Sequence, residues 1–319
     1  MRHWIEAARL RTLPLSVSGI LVGSVYALAN PTRDVLTPTQ VFNWRIFGFA
    51  ILTTLGLQIL SNFANDYGDG IRGTDNEDRI GPRRAIQSGV ISPQAMKRAM
   101  ILTAVLTLLS ASLLIYFAFH DTNPVYSIFF FVLGLLAIAS AIRYTVGNTA
   151  YGYHGYGDMF VFVFFGLVST LGVNFLHSKQ VDFQLILPAA AIGLLSAGVL
   201  NLNNMRDEES DRKAGKNTLV VKMGGKAARK YHYFLVISAM VLMLVFAVIY
   251  NGTGFNFDQY IFLVAYFPLA GHLLRVSRIT DPRQFDPELK RLAIATFLLS
   301  VLMSLALIFL LSDVIVNNS

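Results

Sequence analysis

Long apolar runs separated by short polar segments dominate this chain. A helix needs about 20 apolar residues to cross the hydrocarbon core of a bilayer. Nine stretches approach or exceed that length: about 12–30, 46–65, 98–119, 125–142, 158–177, 184–204, 231–250, 258–275 and 290–312. The pattern predicts an all-α fold, a polytopic membrane bundle of about nine transmembrane helices. Segments on one side of the bundle are short, as antiparallel neighbours require. No low-complexity stretch or soluble domain interrupts the pattern, so residues 1–319 read as one membrane domain. Spans two and three flank one long polar loop and spans six and seven flank another, which suggests two duplicated halves.

Composition agrees with this reading. The chain is 54% hydrophobic and 14% charged, with mean hydropathy +0.54, whereas globular domains carry about 25% charged residues. Cysteine is absent, which excludes disulfides, thiolate metal sites and a cysteine nucleophile. The first span follows Arg2, Arg9 and Arg11 without a small-residue cleavage site, so a retained helix is expected rather than a signal peptide.

Basic residues set the orientation. Of the 26 lysines and arginines, only Arg33, Arg45 and Lys179 fall on one side of the nine spans. The positive-inside rule therefore places the N-terminus in the cytoplasm and the C-terminus outside. We expect a multi-pass protein of the bacterial cytoplasmic (inner) membrane. The net charge of +7 is mostly this topology signal plus attraction to anionic lipid or substrate. It does not point to a nucleic-acid partner.

Two acidic, asparagine-bearing segments stand out at the cytoplasmic ends of spans two and six. Carboxylates beside a bilayer are costly and need a reason. With span two continued as a helix, Asn62, Asp66 and Asp69 share one face, and Asn65 neighbours Asp69. In the second segment Asn204, Asp207 and Asp211 repeat the arrangement, with Asn203 one turn before Asp207. A solvated helix end explains one such cluster readily, and two at matching places much less readily. Oxygen ligands of this kind suit Mg²⁺, which commonly binds through a few carboxylates plus substrate phosphates. Asn62, Asn65, Asp66, Asp69, Asp75, Asn204, Asp207 and Asp211 are the candidate metal ligands. Arg79, Arg83, Lys216 and Lys222 follow the acids closely and are candidates for a diphosphate. For Lys226, Arg229 and Lys230 the topology bias is sufficient explanation.

The stretch from Tyr144 to Asp158 mixes glycines with tyrosines. Tyr144 and Tyr151 suit either an aromatic ligand wall or an interfacial belt, while Tyr156 and His154 suit the interface. Arg11, at the first membrane entry, either recognises a substrate carboxylate or anchors the helix by snorkelling. Arg11, Asn203, Tyr144 and Tyr151 are the candidates for an aromatic acceptor.

These residues resemble a known family. Asn65-Asp66-Tyr67-Gly68-Asp69 with Asp75 resembles the first aspartate-rich motif of the UbiA superfamily of intramembrane prenyltransferases, and Asp207 and Asp211 with Gly215-Lys216 resemble the second. Ala8-Arg9-Leu10-Arg11-Thr12-Leu13-Pro14, Asp78-Arg79-Ile80-Gly81-Pro82, Tyr144-Thr145-Val146-Gly147-Asn148, Tyr151-Gly152-Tyr153 and Gly215-Lys216-Asn217-Thr218-Leu219-Val220-Val221 narrow the resemblance to its 1,4-dihydroxy-2-naphthoate branch. Many superfamily members carry a third acid where this chain has Gly73. Here the acid comes later, as Asp75, as in the naphthoate branch.

The resemblance implies Mg²⁺-dependent transfer from polyprenyl diphosphate to 1,4-dihydroxy-2-naphthoate, with loss of CO₂ and diphosphate, giving a demethylmenaquinol. It implies catalytic roles for Asp66, Asp69, Asp207, Asp211 and Lys216, and contact with membrane lipid. It leaves prenyl length and oligomeric state open. A different aromatic acceptor, such as 4-hydroxybenzoate, fits the same motifs. An ion-coupled transporter is the rival from another class, although transporter acids usually lie near the midplane. The signature of a CDP-alcohol phosphotransferase does not match the order of residues.

Overall fold

The computed structural model describes residues 2–30, 42–77, 79–251 and 256–318. Helices dominate them, and no strand occurs among the described residues. Among the described residues, eight helices are long and apolar enough to cross a membrane, and a ninth counts if Arg2–Ala8 and Leu13–Ala29, bent by 53°, form one span. We number the long segments α1 (Leu13–Ala29), α2 (Trp44–Arg72), α3 (Pro93–Phe119), α4 (Pro124–Arg143), α5 (Gly157–Ser178), α6 (Phe183–Arg206), α7 (Gly225–Asn251), α8 (Phe257–Arg278) and α9 (Pro282–Ser312).

Helix ends follow local chemistry. The Ser92 hydroxyl accepts from the Ala95 amide at 3.2 Å and Pro93 follows as the first helical residue, a pairing suited to a helix start. Asn123 and Pro124 repeat the device at α4. Helix α2 ends on Gly73, whose φ of 70° is the left-handed conformation glycine adopts without penalty.

Three helices begin earlier than the apolar pattern indicates: α3 at Pro93 rather than 98, α7 at Gly225 rather than 231, and α9 at Pro282 rather than 290. Their polar and charged starts extend past the apolar stretch, where hydropathy carries no information. The second acidic segment also differs from the expected continuous helix. Helix α6 stops at Arg206, Asp207 takes φ −98° and ψ 10°, and a separate short helix runs Glu208–Lys213. Asp211 still donates its amide to the Asp207 carbonyl at 2.8 Å, so the two acids remain one turn apart.

Packing divides the bundle unevenly. Helices α1, α6, α7, α8 and α9 share one continuous apolar core containing Ile192, Leu195, Phe246, Phe262 and Leu299. The α2–α3–α4 side is thinner, and α4 buries only Ala137 fully. Helix α5 contains a π-helical stretch, Phe162–Val168. There Gly166 lies against α6 so closely that a Cβ would meet the Ala189 carbonyl oxygen and Gly193 Cα at 2.6 Å. A partly open cavity remains between α1 through α6.

Candidate active site

Both acidic segments lie at the end of the bundle where the α2–α3 and α6–α7 connections meet. Asp69, Asp75, Asp207 and Asp211 are all buried there. Asp69 Oδ2 accepts from Lys216 Nζ at 3.0 Å, and Asp69 Oδ1 accepts from the Tyr153 hydroxyl at 2.8 Å. Lys216 Nζ also lies 4.0 Å from Asp211 Oδ1. Arg79 Nε pairs with Asp75 Oδ1 at 2.9 Å, while its Nη2 reaches Asp207 Oδ2 at 3.4 Å. The cation that follows each motif in sequence therefore pairs with an acid of the other motif. Lys216 and Arg79 cross-brace the site.

Arg206 supports this arrangement from below. It is 1% exposed and donates to Asp207 Oδ2 at 2.6 Å, Asp286 Oδ1 at 2.6 Å and Asn203 Oδ1 at 2.8 Å. Its grip on the adjacent Asp207 accompanies the break in α6.

Electrostatics separate the acids. Burial pushes Asp207 upward, but the Arg206 hydrogen bond and charge, with Arg79, outweigh it and hold the group at about 2. Burial raises Asp211 to about 7, with Lys216 opposing and Asp207 and Asp69 adding to the rise. Burial also raises Asp75 despite Arg84 and Arg79. For Lys216, burial acts to lower the value, yet Asp69 and Asp211 prevail and keep the ammonium charged.

These groups form the polar end of a cavity of about 320 Å³. Its walls turn apolar with depth, through Leu57, Leu133, Phe164, Val168 and Leu176. Along α2 the lining runs from Asp69 to Ala50, about 28 Å at 1.5 Å per residue. That is close to the thickness of the hydrocarbon core.

The structure brings most sequence candidates together. Asn62, Asn65, Asp69, Asp75, Arg79, Tyr144, Tyr151, Asn203, Asp207, Asp211 and Lys216 all line the cavity. Tyr151 stacks on Phe160 at 3.9 Å and packs edge-on to Tyr144 at 5.3 Å, forming an aromatic wall. Asn204 is buried away from the cavity. Asp66 also lies off the wall, held by Arg9 Nη2 at 2.7 Å and Arg84 Nη1 at 3.5 Å.

Two expected diphosphate residues are not in the chamber. Arg83 is exposed and points away, because the loop presents its neighbour Arg84 instead. Lys222 is exposed, and its ammonium is drawn to the His154 carbonyl at 2.7 Å. The side chain of Arg11 lies outside the described residues. In the place foreseen for it, Arg9 and Arg84 line the cavity, and sequence reasoning singled out neither. Arg9 has φ 53°, a strained value for a non-glycine residue of the kind that clusters at functional sites. Its Nε is buried without a partner, as is Gln58 Oε1 on the same wall. Among the described residues, no three carboxylates or imidazoles are gathered closely enough to surround a metal ion. Cations hold the acids apart.

A helical membrane bundle with a cation-braced acidic chamber at the head of a long apolar cavity defines an intramembrane enzyme for substrates with a charged head and a lipid tail. The chain belongs to the UbiA prenyltransferase family, whose model matches residues 34–302, and it is a prenyltransferase. It is 42% identical to 1,4-dihydroxy-2-naphthoate octaprenyltransferase of Haemophilus influenzae, over 97% of this chain and 96% of that one. It is 43% identical to the Escherichia coli enzyme of the same name, over 94% of each. Among solved structures it is similar to a UbiA homolog from Aeropyrum pernix (TM-score 0.60, 15% identity, 94% of this chain and 98% of that one). It is also similar to one from Archaeoglobus fulgidus bound to DMAPP and Mg²⁺ (TM-score 0.57, 15% identity, 95% and 99%). At that identity the structures speak for the fold alone. The expected all-α membrane bundle and family are borne out.

Proposed function

We propose that this chain transfers a polyprenyl group from polyprenyl diphosphate to 1,4-dihydroxy-2-naphthoate, releasing CO₂ and diphosphate and giving a demethylmenaquinol. The observation that carries this is the reciprocal pairing of Lys216 and Arg79 across the two acidic motifs at the head of an apolar cavity. The names of the bacterial relatives support the choice of acceptor.

The donor set suits a hard divalent cation. It consists of oxygens only, and Asn65 Oδ1 and Asp75 Oδ2 are buried without partners on the chamber wall that carries Asp69, Asp207 and Asp211. One or two of these carboxylates at a time, completed by oxygens of the substrate diphosphate, would hold Mg²⁺, in keeping with the Mg²⁺ bound by the Archaeoglobus homolog. When bound, the ion supplies Lewis-acid neutralisation of the diphosphate.

The residues of the chain supply the rest. Lys216 and Arg79 neutralise charge on the diphosphate as the allylic carbon–oxygen bond breaks and its electron pair leaves with the diphosphate. The prenyl tail occupies the apolar cavity. Arg9 and Arg84 sit where the acceptor carboxylate can be held, with the free Arg9 Nε as one donor, and Asp66 keeps both guanidiniums in place. Tyr144 and Tyr151 give the aromatic ring a wall to pack on. The ring carbon bearing the carboxylate attacks the allylic carbon, and its bond to the carboxylate then breaks to release CO₂. The aromatic wall and burial of the acids limit competing attack by water.

By the positive-inside rule the chamber faces the cytoplasm of a bacterial inner membrane, with the whole chain forming one membrane domain. The deciding experiment incubates the purified chain with a panel of aromatic acids and polyprenyl diphosphates and reads products by mass. A prenylated 1,4-naphthalenediol, the naphthoate less its carboxyl group, supports the proposal. Prenylated 4-hydroxybenzoate with no naphthoate product would replace the acceptor. Full activity in excess chelator would remove Mg²⁺ from the scheme.

A further inference from the structure

A second cavity, of about 350 Å³, lies between α5, α6 and α7 and shares no lining residue with the first. Tyr156 and Met159 at its edge are 56% and 57% exposed, on a surface that faces lipid in a membrane bundle. Phe162, Leu194 and Leu235 form its apolar walls.

Asp158 also lines it. A first-turn aspartate on a helix ordinarily faces water, yet Asp158 is only 6% exposed. The Tyr231 hydroxyl hydrogen-bonds to it, but Asp158 Oδ2 has no partner. No lysine or arginine pairs with it among the described residues. A buried carboxylate oxygen without a donor is costly and calls for a ligand. Asp158 also has no part in the chemistry proposed above.

Lys222 stands at the rim. Its ammonium would lie 3.3 Å from a Cβ built on Gly155, which itself lines the cavity, and 5.9 Å from the Tyr156 ring centre. It donates one hydrogen bond, to the His154 carbonyl, and an ammonium has three donors. The site thus offers an acceptor for a cation inside, a donor for an anion at the rim, and apolar walls beneath.

We propose that this cavity binds a phospholipid bearing a primary ammonium, of the phosphatidylethanolamine class. The lipid ammonium donates to Asp158 Oδ2, the phosphate accepts from Lys222, and an acyl chain lies along Phe162, Leu194 and Leu235. The quaternary ammonium of phosphatidylcholine has no N–H to donate. Phosphatidylglycerol brings no cation and adds negative charge beside Asp158.

The test uses the full chain in detergent, exchanged against equimolar phosphatidylethanolamine, phosphatidylcholine and phosphatidylglycerol of matched acyl chains, with retained lipid read by native mass spectrometry. The wild-type protein should retain the ethanolamine lipid over each of the others by at least about tenfold, the scale of one charge-assisted hydrogen bond. Asp158→Asn should abolish that preference, and Lys222→Gln should weaken retention while still disfavouring choline. Equal retention of the three lipids, preference for phosphatidylglycerol, or an unchanged preference in Asp158→Asn would overturn the proposal. If Asp158→Asn does not fold, the wild-type headgroup series and Lys222→Gln decide it.

Discussion

Replacing Lys216 by methionine isolates the contribution of one cation to the proposed chemistry. Methionine keeps the unbranched apolar stem and removes the charge. In the native protein Lys216 Nζ lies 3.0 Å from Asp69 and 4.0 Å from Asp211, with all three side chains at most 10% exposed. Removing one partner of a buried pair leaves the other charge uncompensated, at a cost of about 3–5 kcal/mol. Without Mg²⁺ the variant should therefore melt well below wild type. Added Mg²⁺ should recover more of that loss than it adds to wild type, because Asp69 and Asp211 then lack a cation between them. On the reaction, loss of one preorganised donor to developing negative charge costs about 10²–10³-fold, or roughly 2.7–4 kcal/mol. That fall should appear in kcat/KM for the polyprenyl diphosphate, measured by product mass at saturating acceptor. Lys216 is also the charge that opposes the rise of Asp211, so the defect should deepen as pH falls through the neutral range. A folded Lys216→Met protein with near wild-type kcat/KM and no added response to Mg²⁺ would refute the cross-braced diphosphate site.

Other outcomes can be checked independently. Asp211, raised to about 7, is ionised above that pH and protonated below it, and protons compete with a metal for the same oxygens. The apparent Mg²⁺ affinity should therefore fall by up to about tenfold per pH unit below pH 7. A flat Mg²⁺ titration between pH 8 and pH 6 would contradict this. Gly68→Ala would place a Cβ 2.7 Å from the Thr145 backbone, and overpacking against backbone costs about 1–3 kcal/mol. Its melting temperature should drop, and an unchanged one would mean the approach is looser than described. Gly134 lines the cavity, and the nearest atom to its added Cβ is Ala111 Cβ at 3.9 Å. Gly134→Phe should obstruct long donors while sparing geranyl diphosphate. Equal losses for both donors would show that the tail does not pass this point.

Much of this molecule is legible in its sequence because bilayer chemistry simplifies the code. Long apolar runs locate the helices, and acids at their ends are conspicuous. Helix starts within charged turns are less visible, as at Pro93 and Gly225, because the helix continues after hydropathy has fallen. The break at Asp207 goes with Arg206 folding onto its neighbour and onto Asp286, a contact 80 residues distant. Periodicity placed Asp66 on the ligand face, whereas Arg9 and Arg84 hold it aside. Arg9 and Arg83 show the limit of spacing alone. One arginine among several is distinguished by a strained backbone, and the wrong member of an Arg83-Arg84 pair is easily chosen.

The reciprocal pairing of the two motifs also bears on biosynthesis. Asp69 leaves the ribosome long before Lys216, and Asp207 finds one of its two cations in a loop made much earlier. A chain stopped after α5 holds Asp69 without its ammonium, so its first half must keep that acid hydrated at the membrane surface. The site closes electrically only when the α6–α7 connection arrives. The cross-pairing of each motif's cation with the other motif's acid is thus a built-in record that both halves have been inserted and docked.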